Sequence, residues 1–457
     1  MTVRMSTSRM STSRMSTSRM STSDAIEREI DRWVTEHHDE LLGFLSRLVQ
    51  TPSEVLPPRP GGELACQRIV EAAYRDAGAT VDVFTPDQVP GLREHPLFYG
   101  TWDGLPRTFE DRPDVVGVFR GSGGGRSILL SSHVDTVSRD PLPWKEAEPF
   151  SGLVKDGRLY GRGSWDTKWG IAVGLYAVKC LRALGVRLRG DVLLESVVDE
   201  EYGGSHGVLA ARLRGYNADV AINSEPTHML VAPCHRGGGQ WRITVRGQAG
   251  MAFAGERLAN PVYKLARVIE AVRAFDAGRN AHVQPPRFYE SNPTLPAYTR
   301  QIGGGGVTFA DASGIPPECY LIVWVEEYPG TDEATHTQNL IGFINTYLAR
   351  DPDFDGQYPE FRPCFRYLPG SGMDPAHPFF GVLERAYQAT GQEYRMAGGL
   401  FACDTYVFNL HSPTPAFTLG PRGGNAHAAD EFVLVEDVVA LTRIYARAML
   451  NWCVRDL

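Results

Sequence analysis

Nowhere does this 457-residue chain offer the roughly 18 consecutive apolar residues of a membrane span, and its N-terminus lacks the apolar core of a secretory leader. Membrane partners and classical secretion are therefore not expected, and a cytoplasmic location is. Basic charge is also short. With 46 Lys and Arg against 54 Asp and Glu the formal charge is −8, which leaves no cationic footprint for nucleic acid. Cysteine is sparse and unpatterned: Cys66, Cys180, Cys234, Cys319, Cys364, Cys403 and Cys453 never form C-x-x-C. An odd, scattered set excludes a disulfide framework or zinc knuckle and reads as reduced, mostly buried thiols. What is present is ordinary for a globular protein, 42% hydrophobic and 22% charged. The length exceeds one ordinary core, so two domains acting on a small molecule are expected.

The unit Met-Ser-Thr-Ser-Arg recurs in tandem from Met5. Small polar residues bury too little apolar surface to offset chain entropy, so 1–23 is expected to be a disordered leader. Helical spacing follows over 24–48 and 67–77, and strand-like runs over 81–84, 115–119 and 127–131. A helix is predicted at 169–184, with buried strands at 192–198 and 218–223. Alternation of this kind implies an α/β catalytic domain with a helix-covered, mostly parallel sheet.

Beyond Gly237 the texture changes. Trp241, Ile243 and Val245 alternate with polar residues, as a strand with one wet face does. A helix at 261–275, a Pro- and Gly-rich stretch, a strand at 319–325, a helix at 338–348 and a strand at 361–368 suit a small α+β unit. The α/β pattern resumes with a helix at 379–391 and a strand at 414–419. The expected division is a catalytic domain over 24–236 and 371–457, interrupted by an inserted domain over 237–370.

Chemistry-bearing residues fall on one edge of this scheme. His133 and Asp135 follow the strand at 127–131, Asp199-Glu200-Glu201 follow 192–198, and Glu225 follows 218–223. Carboxyl ends of strands are where open α/β sheets place ligands. Asp166 sits in a Gly-rich loop before the helix at 169–184, and His427 lies near the C-terminus. Singly, each motif is weak: Asp-Glu-Glu is usually a solvated run and Glu-Pro a turn. In this order they supply the nitrogen and carboxylate ligands of a two-zinc hydrolytic site.

Asp166, short and placed before a helix, is the expected bridge. His133 and Glu225 would complete one ion, Glu201 and His427 the other. Asp135 would accept the second ring N–H of His133 and fix its tautomer. Glu200, free beside a ligating neighbour, is the expected general base. Two divalent ions balance three ligand carboxylates and a hydroxide, so Glu200 can cycle its proton without stranding charge. The same donor set suits Co²⁺ or Mn²⁺.

From Leu41 to Val439 the chain resembles the di-zinc family of aminoacylase, glutamate carboxypeptidase, acetylornithine deacetylase and succinyl-diaminopimelate desuccinylase. The residues that carry the likeness are Leu48-Val49-Gln50-Thr51-Pro52-Ser53, Ser132-His133-Val134-Asp135-Thr136-Val137, Trp144 with Pro149-Phe150, Asp156-Gly157-Arg158-Leu159-Tyr160-Gly161-Arg162-Gly163, and Gly424-Asn425-Ala426-His427. The resemblance implies a zinc cleft, an inserted lid that dimerises, and hydrolysis of an amide beside a carboxylate-bearing, amino-acid-like group or in a short peptide.

Three positions depart from the pattern. Met251 stands where the family's lid carries a histidine that stabilises the oxyanion in the partner's site; losing one such donor typically costs about 10²–10³ in rate. Trp169 replaces a glycine after Asp-x-Lys, where it would narrow the cleft or stack on substrate. Glu326 precedes Pro329 where an arginine often ends a lid strand. His235 and Arg236 are candidates for the missing donor. Two readings stay open, a deacylase or peptidase that removes an acyl group from an amino-acid-like substrate, and a repurposed relative that binds metal and ligand without hydrolysis.

Overall fold

The computed structural model describes residues 22–55, 62–139, 143–203, 205–251, 253, 258–305, 314–354 and 356–453. The leader therefore lies, up to residue 21, outside the described residues. The first described helix spans Thr22–Glu36. The single helix expected over 24–48 is two, Thr22–Glu36 and His38–Gln50, separated at His37, whose Nδ1 sits 2.8 Å from the Trp33 carbonyl.

Six strands form the main sheet: β1 (Thr80–Phe84), β2 (Asp114–Phe119), β3 (Ile128–His133), β4 (Val192–Val197), β5 (Ala221–Ser224) and β10 (Ala416–Leu419). Their spatial order is β1-β2-β4-β3-β5-β10, with β4, β3, β5 and β10 mutually parallel and β2 antiparallel to β4. Side chains alternate across it. Ile128 and Leu130 enter one core with the helices Trp169–Ala183 (α1) and Val435–Cys453 (α2), whereas Leu129 enters a second core beneath His206–Leu213 and Thr405–His411. Burial on both faces explains the continuous apolar runs of these strands. Each such Leu or Ile contributes about 1.5–3 kcal/mol of transfer free energy.

The segment between β5 and β10 builds a second sheet from β6 (Gly237–Arg246), β7 (Ala297–Gly304), β8 (Glu318–Glu327) and β9 (Glu360–Pro363), all antiparallel, in the order β7-β8-β6-β9. Trp241, Ile243 and Val245 pack on the helices Pro261–Asn280 and Glu333–Leu348. The opposite face of β8 turns Ile322 and Trp324 into the core shared with the main sheet. β7 falls inside the stretch that sequence texture left without structure. Its glycines and polar residues carry little periodicity, and it lies at a sheet edge, where only one neighbour constrains it. A further small sheet, Leu153–Lys155, Arg158–Tyr160, Gly423–Gly424 and Phe432–Leu434, ties the loop before Asp166 to the loop carrying His427.

Candidate active site

Three parallel strands deliver the acids and one histidine. His133 is the last residue of β3, paired in register with Val197 at the end of β4. The triplet Asp199-Glu200-Glu201 and Glu225 start the loops after β4 and β5, so all converge on one sheet edge. Asp166 lies in the turn Ser164–Lys168 before α1, with a cis peptide bond to Thr167. His427 arrives from the loop between the short strands Gly423–Gly424 and Phe432–Leu434.

Asp166 stands between the two histidines. Its Oδ1 is 3.1 Å from His133 Nε2 and its Oδ2 3.1 Å from His427 Nε2, while His427 Nε2 is 2.9 Å from Glu201 Oε2. Ligand atoms of His133, Asp166 and Glu201 all lie within 4.8 Å of one another. Glu225 and Glu200 line the same cleft. Burial, then the neighbouring Glu225, drives the Glu200 carboxyl well above its usual range, and burial does the same to Glu225. Among the described residues, no lysine or arginine forms an ion pair with Asp166, Glu200, Glu201 or Glu225; the ion pairs of Asp166 and Glu201 are with histidine, and Glu201 Oε1 also accepts the Val137 N–H at 3.2 Å. Such crowded acids, with histidine nitrogens turned among them, fit divalent cations.

The tautomer of His133 is set by an unexpected atom. Its Nδ1 donates to the main-chain carbonyl of Asp135 at 2.8 Å, leaving Nε2 as the nitrogen turned toward Asp166 and available to a metal ion, while the Asp135 carboxylate is 3.8 Å away. That carboxylate instead accepts the backbone N–H groups of Glu200 (3.4 Å) and Glu201 (3.2 Å). Asp135 thus orients both the ligand histidine and the acidic triplet, the first through its backbone. Burial pushes its carboxyl up to about 6.

Two supports escaped the sequence reading. Asp199 anchors the triplet: its Oδ1 accepts from Arg107 at 2.6 Å and Arg112 at 3.2 Å, and its Oδ2 is 2.6 Å from His206 Nδ1. Burial opposes its charge, but the two guanidinium groups outweigh it and hold the carboxyl well below its usual range. Glu431 accepts the backbone N–H groups of Gly163 (3.2 Å), Trp165 (2.9 Å) and Asp166 (3.1 Å), and Arg162 Nη1 at 2.6 Å. The signal for Glu431 was its place four residues after His427; for the Asp199 partners, scattered over the sequence, there was none.

Three expected substrate contacts, Trp169, His235 and Arg236, are corrected. Trp169 is fully buried, its Nε1 bonded to the Trp165 carbonyl at 2.9 Å; it opens α1 facing the core, and Trp165 lines the cleft instead. His235 is buried away from the cleft, with Nε2 2.9 Å from Ser371 Oγ and Nδ1 2.8 Å from the Arg236 carbonyl, and burial lowers it to about 4. Arg236 is consumed by Glu326, Nη1 to Oε2 at 2.8 Å, and only Glu326 of that pair lines the cleft. Met251 is 56% exposed and lies outside its own chain's cleft. All seven cysteines are free, and none lines the cleft.

The sequence profile of peptidase family M20/M25/M40 matches residues 129–451. Over 93% of its length the chain is 27% identical to the N-formyl-4-amino-5-aminomethyl-2-methylpyrimidine deformylase of Bacillus subtilis (strain 168), of which the match covers 97%. It is 29% identical to the acetylornithine deacetylase of Myxococcus xanthus, covering 75% of this chain and 85% of that one. In fold it is similar to the di-peptidase Dug1p of Saccharomyces cerevisiae, with a TM-score of 0.76 at 14% identity, over 93% of this chain and 98% of the other. With the profile spanning most of the chain, from the start of β3 to the last turn of α2, the protein belongs to peptidase family M20/M25/M40.

Proposed function

We propose that this chain is a zinc-dependent amidohydrolase that removes an acyl group from an amine or cleaves a short peptide, with Glu200 as its general base. The observation that carries the reading is Asp166 placed with one oxygen toward each histidine, inside a set of buried acids that lack lysine or arginine partners. His133, Asp166 and Glu225 would hold one ion and Asp166, Glu201 and His427 the other. Bound zinc would supply Lewis acidity, polarising the scissile carbonyl and acidifying water.

The chain's own groups do the rest. Glu200 takes a proton from water as its oxygen adds to the carbonyl carbon, then returns it to the nitrogen as the C–N bond breaks, releasing acid and amine. Asp135 keeps the Glu200 backbone in place while this proton moves. Relatives that are a deformylase and a deacetylase support acyl removal as the reaction class. The cytoplasm, a homodimer through the 237–370 lid, and the division into 24–236, 237–370 and 371–457 belong to the same proposal. Among the described residues no helix is long and apolar enough to cross a membrane.

The test is a screen of N-formyl and N-acetyl amines, N-acyl amino acids and dipeptides on protein of measured metal content, with and without chelator. Turnover that ignores chelator would sink the metal mechanism.

A further inference from the structure

The cleft runs well past the acids, with a volume of about 810 Å³. Its far walls carry Phe288, Tyr298, Trp324, Phe365 and Phe401, five flat faces in one cavity. An amino-acid substrate would also need a cation there to meet its carboxylate. Arg236 cannot turn to one. Its Nη1 is bonded to Glu326 and its Nη2 donates to the Asn292 carbonyl at 2.7 Å, with the rings of Tyr289 and Tyr328 at 5.4 and 5.8 Å from the guanidinium carbon. Moving it would strand Glu326, itself 7% exposed, as an unpaired buried charge.

Arg300 is the arginine of the cleft wall, and it is laid flat. Arg300 follows Tyr298 by two residues on β7 and lines the same cleft, at the point where the β7–β8 register shifts between Thr299 and Gln301. Its guanidinium lies 4.7 Å above the Trp324 ring and donates to Gln240 Oε1 at 2.9 Å and Tyr298 Oη at 3.3 Å. A guanidinium held this way offers a planar face more than a free fork of donors. Glu326, already paired with Arg236, brings no cation to the cleft.

We propose that the cleft selects an N-acyl amide bearing a planar aromatic group and no carboxylate, the ring lying among Trp324, Arg300 and Tyr298. This rests on the amide-hydrolysis reading above and narrows its substrate. Water adds to the acyl carbon, the C–N bond breaks, and the proton ends on the nitrogen of the released amine.

Three substrates of one acyl group isolate the features: N-formylphenethylamine has the ring, N-formylpropylamine lacks it, and N-formylphenylalanine adds the carboxylate. The zinc-loaded enzyme should prefer the first by about tenfold or more in kcat/KM over both others. Trp324→Ala should shrink the ring-to-propyl ratio at least fivefold. Because Trp324 is well buried, Tyr298→Ser on the exposed edge strand serves as a second variant, with a smaller drop in the same direction. A preference for N-formylphenylalanine that disappears in Arg300→Gln would overturn the proposal. Equilibrium binding of the three compounds to the Glu200→Gln protein reads the same preference without turnover. Should no amide be hydrolysed, that binding still decides the ring question while the hydrolytic reading falls alone.

Discussion

Glu431 accepts the backbone N–H of Asp166 at 3.1 Å while the Asp166 side chain sits between His133 and His427. One carboxylate therefore holds the loop from which another reaches into the cradle. Glu431→Gln keeps the shape but weakens these bonds, and supporting partners of this kind typically change metal affinity about 10–100-fold. The variant should retain its far-ultraviolet spectrum and bind zinc at least tenfold more weakly by competition with a chelating dye. Unchanged affinity in a folded variant would leave Glu431 with no part in positioning Asp166.

Glu200 lines the cleft with no ion-pair partner among the described residues. Glu200→Gln should abolish turnover, by roughly 10²–10⁴ for loss of a general base, with metal content staying near that of the wild type. A large loss of zinc from this variant would reverse the roles of Glu200 and Glu201.

His235 is neutral in the fold. Burial lowers it from 6.5 to about 4, so the unfolded chain takes up this proton across a range in which the native chain refuses it. The stabilisation by neutral His235 is complete above the unfolded value and is lost as pH falls from about 6.5 to about 4, a change of roughly 3 kcal/mol. His235→Asn should flatten that part of the stability profile, measured as urea midpoints at pH 7 and pH 4.5. Parallel acid-side slopes in the two proteins would remove His235 from the account.

Met251 is exposed outside its own cleft, on the inserted domain. A thioether donates no hydrogen bond, so Met251→His should raise kcat on simple acyl amides if a second copy of the lid docks over the site. The gain should vanish on dilution to the monomer, followed by light scattering. An unchanged rate at high concentration would mean another group stabilises the oxyanion.

The catalytic strands were legible because burial on both faces leaves runs such as Ile128-Leu129-Leu130 that have no other use, and their carboxyl ends marked His133, Glu200, Glu201 and Glu225. Asp166 and His427 were legible through their motifs. What sequence could not supply was direction. Trp169 and Trp165 are four residues apart on one turn and helix, yet one faces the core and the other the cleft. The acceptor for His133 Nδ1 was placed on the right residue and the wrong atom, since only the path of the loop decides between the Asp135 carbonyl and its carboxylate. Arg107, Arg112 and His206 meet Asp199 only through the sheet's folding, from positions that share no spacing.

The histidine that closes the cradle follows a strand, β10, that pairs with β5 across the whole inserted segment. A ribosome making this chain emits His133, Asp166, Glu201 and Glu225 long before His427, so a nascent or C-terminally clipped chain owns four of the five proposed ligands and no complete site. On the proposed ligand set, hydrolytic capability is switched on only as translation reaches its end, and an incomplete copy should be an inert one.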